Sequence, residues 1–173
     1  MNAEIIAAGS EMLTPARIDT NSLYLTERLN ELGIEVVGKA IVGDDRERMA
    51  NMVEGALARA DLLIVTGGLG PTEDDVTRDA VAQALALGMH FDDAVCAAIQ
   101  ARFARMKRTM SEINRRQAQI LDGAQTLPND RGTAPGQWIE ARGKVVVLLP
   151  GPPNEMKAMF EQVFRRLLQQ VPP

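Results

Sequence analysis

The chain has 173 residues, 46% of them hydrophobic, and a formal net charge of −4. This length suits one domain with a buried core, since single domains most often contain about 100–150 residues. The acidic balance argues against nucleic-acid-binding and membrane-surface proteins, because both present a basic face. No apolar run is long enough to span a bilayer, and no basic region precedes the first apolar stretch as in a secretory signal.

The sequence contains one cysteine, Cys96, and one histidine, His90. A single cysteine cannot form an intrachain disulfide, so we expect a protein of the reducing cytoplasm. Two such residues do not suffice for a zinc site of Cys and His ligands, and they do not form a Ser-His-Asp triad. We therefore expect both side chains to be structural. Any bound metal would then have oxygen ligands, which favours Mg²⁺, Mn²⁺ or a similar cation.

The first half of the chain alternates predicted strands with predicted helices. Strands are predicted over residues 5–8, 34–42 and 61–66, and the last is a continuous apolar run typical of a strand buried on both faces. One helix follows Asp19-Thr20-Asn21, which can cap it, and another opens at Asp44-Asp45. Three strands joined by two helices predict a βαβαβ unit with parallel strands.

The second half of the chain is predicted to add helices and a hairpin. Helices are predicted over residues 75–87, 92–107, 111–121 and 153–170, and hairpin strands over 137–140 and 144–149. The tail Val171-Pro172-Pro173 resembles the end of a domain, and a boundary at which a longer relative continues is the alternative. With no repeat and no linker in between, we expect one domain over residues 1–173.

The strongest local pattern is the glycine-rich loop between the third strand and the next helix. Open α/β sheets place ligands at the carboxyl ends of their strands, and glycines there let backbone N–H groups approach an anion. A helix that follows adds its positive end. The loop has neither the Gly-Lys-Ser/Thr of a Walker A motif nor the third glycine of a dinucleotide fingerprint. We expect phosphate contacts from Thr66, Gly67, Gly68, Gly70 and Pro71; a capped tight turn is the alternative.

Two adjacent carboxylates, Asp74 and Asp75, follow the glycines. Carboxylates beside a bound phosphate repel it unless a cation lies between them, so the pair suggests a divalent metal ligand. Acidic residues in a first helical turn also stabilise a helix, so capping is the alternative. Neighbouring residues of a helix point about 100° apart, so the two candidate catalytic metal ligands, Asp74 and Asp75, cannot face one metal equally. We expect one of them to bind the metal while the other caps the helix.

Four further segments share this loop character or carry arginines that could bind phosphate. We expect the loops at 66–75, 132–136 and 149–155 to converge on one pocket, because each abuts a predicted strand end. A solvated helix face is the alternative for the arginine segment. The further candidate ligand contacts are Gly9, Ser10, Glu11, Asn114, Arg115, Gly132, Thr133, Gly151 and Pro152, with Glu155 as a catalytic residue or metal-site support.

Taken together, these segments resemble the N-terminal domain of the CinA (competence/damage-inducible protein A) family, a branch of the molybdopterin-binding domain superfamily. The chain differs from the family at Leu121, where proline is frequent, and at Thr14–Arg17, where many members have a glycine. It has Leu69 where the molybdenum-cofactor relatives have threonine, which favours the CinA branch. The matching stretches are Gly9-Ser10-Glu11-Met12-Leu13, Asp19-Thr20-Asn21-Ser22, Thr66 to Thr77, Asn114-Arg115-Arg116-Gln117-Ala118, Gly132 to Gly136, and Leu149 to Met156.

The resemblance implies an α/β fold, a three-layer α/β/α sandwich with a mixed, mostly parallel five-stranded sheet, and assembly into dimers or trimers. It also implies metal-dependent hydrolysis of a nucleotide pyrophosphate, ADP-ribose giving AMP and ribose 5-phosphate, with Mg²⁺, Mn²⁺ or Co²⁺ as cofactor. Because Asp75 precedes Val76-Thr77, which matches the acidic position of the superfamily, the resemblance favours Asp75 as the metal ligand and Asp74 as the helix cap. The alternatives are a molybdopterin-binding or adenylyl-transferring protein of molybdenum-cofactor biosynthesis, and a non-catalytic nucleotide-binding domain. In each case the expected partner is a small nucleotide or pterin ligand.

Overall fold

The computed structural model describes residues 1–171, so the expected domain end at Pro172 and Pro173 lies outside the described residues. Two 3-10 helices, Ser10–Leu13 and Glu112–Ala118, accompany the longer elements. These are β1 (Asn2–Ala8), α1 (Thr20–Glu31), β2 (Glu35–Val42), α2 (Arg46–Arg59), β3 (Leu62–Thr66), α3 (Thr77–Leu85), β4 (Met89–Phe91), α4 (Asp93–Arg105), β5 (Gln119–Leu121), β6 (Gln125–Leu127), β7 (Gly136–Ala141), β8 (Lys144–Leu149) and α5 (Pro153–Gln170).

The main sheet is mixed and mostly parallel, as predicted, but it has six strands instead of five. Its order is β2-β1-β3-β8-β7-β6. The first four strands are parallel to one another, while β7 runs antiparallel to both of its neighbours. The sixth strand, β6, has only three residues, which is too short to show a periodicity in the sequence. Strands β4 and β5 form a separate antiparallel pair.

Helices cover both faces of the sheet and complete the predicted three layers. Helix α2 packs on one face through Met49 and Val53, together with α3. Helices α1 and α5 pack on the other face, where Leu25 and Phe160 are fully buried. All five residues of β3 are buried, which confirms the prediction drawn from its continuous apolar run.

The capping pattern of the first two helices is confirmed. The Asp19 carboxylate accepts a hydrogen bond from the Ser22 N–H at 3.0 Å, and the Asp45 carboxylate accepts one from the Arg48 N–H at 2.9 Å. These bonds satisfy donors that a helix otherwise leaves unpaired in its first turn. Both helices follow strands of the parallel unit, so both N-termini lie at the carboxyl edge of the sheet.

The helix predicted over residues 111–121 is wrong. That segment forms a 3-10 helix and then β5, which pairs with β4. Gln137 explains part of the change, since its side-chain carbonyl accepts the Leu121 N–H at 2.9 Å. A partner distant in sequence therefore overrides a local helical pattern. The helix predicted over 75–87 is also shorter: it begins at Thr77 and ends at Leu85, before Ala86 turns left-handed at φ 54°.

Candidate functional site

A cleft of about 790 Å³ opens at the carboxyl edge of the parallel strands. Strands β1, β3 and β8 are neighbours and parallel, so the loops that follow them meet at this edge. Residues of the loop after β3, the loop before β7 and the loop after β8 all line it, which confirms the predicted convergence. The predicted site residues that line it are Gly9, Glu11, Thr66, Gly67, Gly68, Gly70, Pro71, Asp74, Asp75, Thr133, Gly151, Pro152 and Glu155.

Four predicted residues do not line this cleft. Ser10 turns towards Asp44, whose N–H donates to the Ser10 hydroxyl at 2.9 Å. Gly132 lies behind Glu155, because an added Cβ would come within 1.5 Å of the Glu155 carboxylate. Asn114 caps its own 3-10 helix through Ser111. The Arg115 guanidinium stacks on the Phe91 ring at 4.7 Å and pairs with Glu112 at 3.3 Å, away from the cleft.

The first residues of α3 donate hydrogen bonds to the carbonyl groups of the glycine-rich loop. The Thr77 hydroxyl donates to the Gly67 carbonyl at 2.8 Å, and the Thr77 N–H donates to the Gly68 carbonyl at 3.3 Å. The Arg78 guanidinium donates to the carbonyls of Leu69 and Gly70, both at 2.7 Å. Gly67 and Gly68 have φ values of 88° and 69°, a region that glycine occupies without strain.

This arrangement determines where the loop N–H groups point. In a trans peptide plane, the carbonyl of one residue and the N–H of the next point in opposite directions. Because the carbonyls of Gly67, Gly68 and Leu69 face α3, the N–H groups of Gly68, Leu69 and Gly70 face away from it. None of these three N–H groups has a hydrogen-bond partner among the described residues. The loop therefore offers three consecutive donors to an anion.

Arg78 is the buried charge that holds this loop, and only 3% of the residue is exposed. Burial lowers the pKa of its guanidinium to about 10, although nearby Asp75 and Asp79 oppose that shift. The group therefore keeps its proton at neutral pH. Arg116 holds the next part of the loop, where it donates to the Thr72 carbonyl at 2.7 Å and to the Asp79 carboxylate at 3.2 Å.

The two adjacent aspartates differ in their surroundings, and the predicted cap is wrong. Helix α3 has Val76 at its N-cap without a side-chain cap, so Asp74 does not cap it. One Asp75 carboxylate oxygen accepts from the Thr72 N–H at 2.9 Å and from the Thr72 hydroxyl at 2.8 Å. Asp75 therefore closes the turn before the helix. Asp74 is exposed, and no hydrogen bond to its carboxylate occurs among residues 1–171.

Glu155 joins two of the converging loops. It lies in the first turn of α5, and its carboxylate accepts from the Asn129 side-chain N–H at 2.7 Å. The same Asn129 amide donates to the Ala134 carbonyl at 2.8 Å. On the cleft wall next to it, the Gln117 amide donates to the Thr133 hydroxyl at 3.0 Å. These bonds hold the loop before β7 against the start of α5.

Our interpretation of the sequence missed three cleft residues that it had assigned to helix starts. Asp19, Asn21 and Asp44 all line the cleft. A usable pattern was present: Asp19 and Asp44 lie between a strand of the parallel unit and the next helix, and Asn21 lies in the first turn of α1. Such a position lies at the carboxyl edge by topology, so a residue there can cap a helix and face the ligand site.

The cleft is strongly acidic. It is lined by six carboxylates and, within the described residues, by one basic side chain, that of Arg17. Over the same residues, no group of three or more His, Cys, Asp or Glu side chains is close enough to hold a metal ion by itself. The carboxylates are therefore dispersed around the cleft. They are those of Glu11, Asp19, Asp44, Asp74, Asp75 and Glu155.

Cys96 and His90 lie away from the cleft. Cys96 is buried in a small cluster between α4 and the second 3-10 helix, and His90 pairs with Asp122 at 2.8 Å. Both side chains thus make structural contacts. In the part of the chain that the structure describes, no helix combines the length and the apolar character needed to cross a bilayer.

Comparisons with known proteins agree with this architecture. A CinA-like protein of Solibacter usitatus is 60% identical over 99% of the chain, and a putative competence-damage inducible protein of Bacillus anthracis is 47% identical over 92%. The chain spans about two fifths of these relatives, 42% and 39% of their lengths.

Solved structures give the same fold. The protein CinA with unknown function from Thermoplasma acidophilum superposes with a TM-score of 0.90 at 29% identity, over 96% of this chain and 99% of that one. A molybdopterin biosynthesis protein from Mycobacterium abscessus gives a TM-score of 0.66 at 19% identity, over 98% and 93%, a likeness of fold alone. Residues 4–170 match the family model described as a probable molybdopterin binding domain. The chain therefore belongs to the molybdopterin-binding domain family, in which its relatives are CinA-like proteins, as the resemblance predicted.

Proposed function

We propose that the cleft binds the phosphate group of a small pterin or nucleotide ligand. One observation carries this proposal: the N–H groups of Gly68, Leu69 and Gly70 are unpaired within the described residues and point away from α3. Backbone donors arranged in this way favour an anion with several oxygens, such as a phosphate. The cleft volume of about 790 Å³ is in the range of sites for ligands of this size.

The family supports a pterin as one ligand class. Its description names molybdopterin binding, and a tungsten cofactor synthesizing protein MoaB from Pyrococcus furiosus shares the fold with a TM-score of 0.60. Molybdopterin carries a phosphate, so the same three donors would serve it. The rest of the cleft would then hold the ring system, but no described contact distinguishes a pterin ring from a purine ring.

The charge of the cleft supports a second candidate, hydrolysis of a nucleotide pyrophosphate. Six carboxylates around a phosphate site would repel the ligand unless a cation neutralises them. A divalent metal such as Mg²⁺, Mn²⁺ or Co²⁺ would supply this neutralisation and polarise a phosphoryl oxygen. Among these six carboxylates, Asp74 and Asp75 follow the glycine-rich loop in sequence, and Glu155 follows the loop after β8. The balanced reaction is ADP-ribose plus water giving AMP and ribose 5-phosphate.

The dispersed carboxylates fit a metal that arrives with the ligand. No group of three acidic side chains is preformed within residues 1–171, whereas hard cations take six or more oxygens. One phosphate would then make two kinds of contact. Its oxygens would accept hydrogen bonds from the loop N–H groups, and they would also coordinate a cation held by the Asp74 carboxylate. Asp75 has one carboxylate oxygen left for the same cation, since only the other is used by Thr72.

The phosphate proposal is tested by isothermal titration of the purified domain with adenosine, AMP, ADP-ribose and a phosphorylated pterin. We expect adenosine to bind at least about tenfold more weakly than AMP, because only AMP reaches the loop donors. Equal affinities for adenosine and AMP, together with no binding of the phosphorylated pterin, would contradict the proposal. Liquid chromatography of ADP-ribose incubations with Mg²⁺, Mn²⁺ or Co²⁺ tests hydrolysis separately.

Metal binding can be measured without turnover. Electron paramagnetic resonance of Mn²⁺ reports the free ion, so it gives the affinity of the domain for Mn²⁺ with and without AMP. We expect AMP to tighten Mn²⁺ binding about tenfold or more, because phosphate oxygens complete the coordination. Tight Mn²⁺ binding without AMP would contradict the shared site. Light scattering in the same buffers tests the dimer or trimer that the resemblance implies.

A further inference from the structure

Asn21 contributes a buried hydrogen-bond acceptor to the cleft. It is the second residue of α1, lines the cleft, and is 8% exposed. Its side-chain N–H donates to the Gly151 carbonyl at 2.8 Å, which fixes the orientation of the amide. The amide oxygen, Oδ1, has no hydrogen-bond partner among the described residues.

An unpaired acceptor at this position needs an explanation. Folded proteins pair most of their buried polar groups, since an unpaired one destabilises the folded state. The helix does not need the Asn21 amide, because Asp19 already caps α1 through Ser22. The Gly151 bond uses the nitrogen alone. The oxygen is therefore a buried acceptor without a partner within the described residues, on a side chain that lines the cleft.

The position of Gly151 shows which part of the ligand Oδ1 meets. An added Cβ on Gly151 would lie 3.3 Å from the Gly67 Cα, so Gly151 packs directly on the start of the phosphate-binding loop. Asn21 is held to the carbonyl of that same Gly151. In space, only Gly151 therefore lies between the Asn21 side chain and the loop that would hold the phosphate.

We propose that Asn21 Oδ1 accepts a hydrogen bond from a ribose hydroxyl of the bound nucleotide and so determines specificity for ribose over deoxyribose. This inference rests on the proposed phosphate site. An amide oxygen in this geometry is an acceptor, so its partner must be an O–H or N–H donor. In a nucleotide the ribose hydroxyls lie a few bonds from the phosphate. In a pterin, the exocyclic amino group is remote from the phosphate.

The specificity follows from the cost of an unpaired acceptor. A site built around a buried polar group rejects an analogue that lacks the matching hydroxyl, because binding that analogue leaves the group dry and unpaired. A water molecule that remained beside Oδ1 would satisfy it equally with both analogues. A weaker affinity for the deoxyribose analogue therefore indicates that a ribose hydroxyl contacts Oδ1, whereas equal affinities indicate that a water molecule does.

The experiment titrates the wild type, Asn21→Asp and Asn21→Leu with AMP, 2′-deoxy-AMP and 3′-deoxy-AMP. Asn21→Asp keeps an acceptor but loses the bond to Gly151. Asn21→Leu has a similar size and loses both. We expect the wild type to bind one deoxy analogue at least about tenfold more weakly than AMP. Asn21→Asp should keep this ratio although its overall affinity falls, and Asn21→Leu should bring the ratio close to one.

Each other outcome overturns the inference in a recognisable way. If the wild type binds AMP and both deoxy analogues equally, Oδ1 does not contact a ribose hydroxyl, even if neither variant folds. If Asn21→Leu discriminates as well as the wild type, another residue is responsible. A wild type that binds a phosphorylated pterin but no nucleotide overturns the ribose assignment and leaves the phosphate site standing. Failure to bind any phosphorylated ligand overturns the proposed function itself.

Discussion

The two ends of the parallel strands differ in how completely their polar groups are paired. At the amino end, Asn2 and Asp61 are joined by several hydrogen bonds: the Asn2 N–H donates to the Asp61 carboxylate at 3.0 Å, and the Asp61 N–H donates to the Asn2 side chain at 2.9 Å and to the Asn2 carbonyl at 3.2 Å. The Asp61 carbonyl accepts the Val145 N–H at 2.9 Å, and Lys144 lies 3.6 Å from the Asp61 carboxylate.

At the carboxyl end, the chain leaves polar groups available. Three loop N–H groups and the Asn21 oxygen lack partners among the described residues, and the Asp74 carboxylate is exposed. Here the hydrogen bonds that do form hold backbone carbonyls away from the cleft, as those of Arg78 do. The comparison indicates that pairing at the amino end serves stability, whereas pairing at the carboxyl end orients a binding surface.

The largest effect should come from Gly67→Ala, compared with Gly143→Ala at the opposite end of the sheet. Gly67 has φ 88°, and an added Cβ would lie 2.4 Å from the Ala8 carbonyl oxygen. Gly143 has φ 70° and no atom within 4 Å of an added Cβ. We expect Gly67→Ala to lower the free energy of unfolding by about 2–4 kcal/mol through strain and clash, and Gly143→Ala by about 1 kcal/mol through strain alone.

Urea denaturation of both variants gives the two free energies of unfolding, and titration with AMP gives their affinities. We expect Gly67→Ala to lose phosphate binding and Gly143→Ala to keep it, because only the first change displaces the loop. Equal losses of stability in the two variants would contradict the role assigned to the contact between Gly67 and Ala8.

The next effect concerns the charge behind the loop. Arg78→Met removes the donors to the Leu69 and Gly70 carbonyls, so we expect a stability loss of about 1–3 kcal/mol and about a tenfold weaker affinity for AMP. Adenosine affinity should be unchanged, since it lacks a phosphate. The exposed Arg46→Met serves as the control. If Arg78→Met weakens adenosine and AMP equally, Arg78 supports the fold and does not orient the donors.

Much of this architecture could be predicted from the sequence because it depends on local patterns. The apolar run of β3, the glycines at 67, 68 and 70, and the carboxylate caps at Asp19 and Asp45 each act within one element or at its end. Parallel topology then places the following loops at one edge. The location of the cleft follows from these two facts.

The remaining features depend on contacts between distant residues. Segment 119–121 becomes a strand because β4 and Gln137 pair with it. In the sequence, Arg78 is one residue within a predicted helix. Its hydrogen bonds to the Leu69 and Gly70 carbonyls form only when the glycine-rich loop folds back on α3. Asp75 was assigned to a metal, yet in the structure it also closes a turn through Thr72. Long-range pairing of this kind carries no periodicity that a single sequence displays.

A smaller effect should separate the two adjacent aspartates. Asp75→Asn removes one charge from the oxygen that accepts two bonds from Thr72, so we expect a stability loss of about 0.5–1.5 kcal/mol. Asp74→Asn should not change the melting temperature, because that carboxylate has no partner within residues 1–171. Both changes should weaken Mn²⁺ binding in the presence of AMP. Unchanged Mn²⁺ affinity in both variants would exclude the pair as metal ligands.

The smallest effect belongs to the well-paired amino end and depends on pH. The hydrogen bond from the Asn2 N–H, helped by Lys144, holds the pKa of the Asp61 carboxyl below its ordinary value. The unfolded chain therefore takes up the proton more readily, so Asp61 stabilises the fold above its ordinary pKa, and this contribution is lost as the pH falls through the folded pKa. Because half of the side chain is exposed, the contribution is small. We expect Asp61→Asn to lower the melting temperature slightly at neutral pH, and this difference to shrink as the pH falls below the ordinary pKa of aspartate. A difference in melting temperature that grew towards low pH would show that the carboxylate is less favourable in the folded state, contrary to the pairing seen at this end of the sheet.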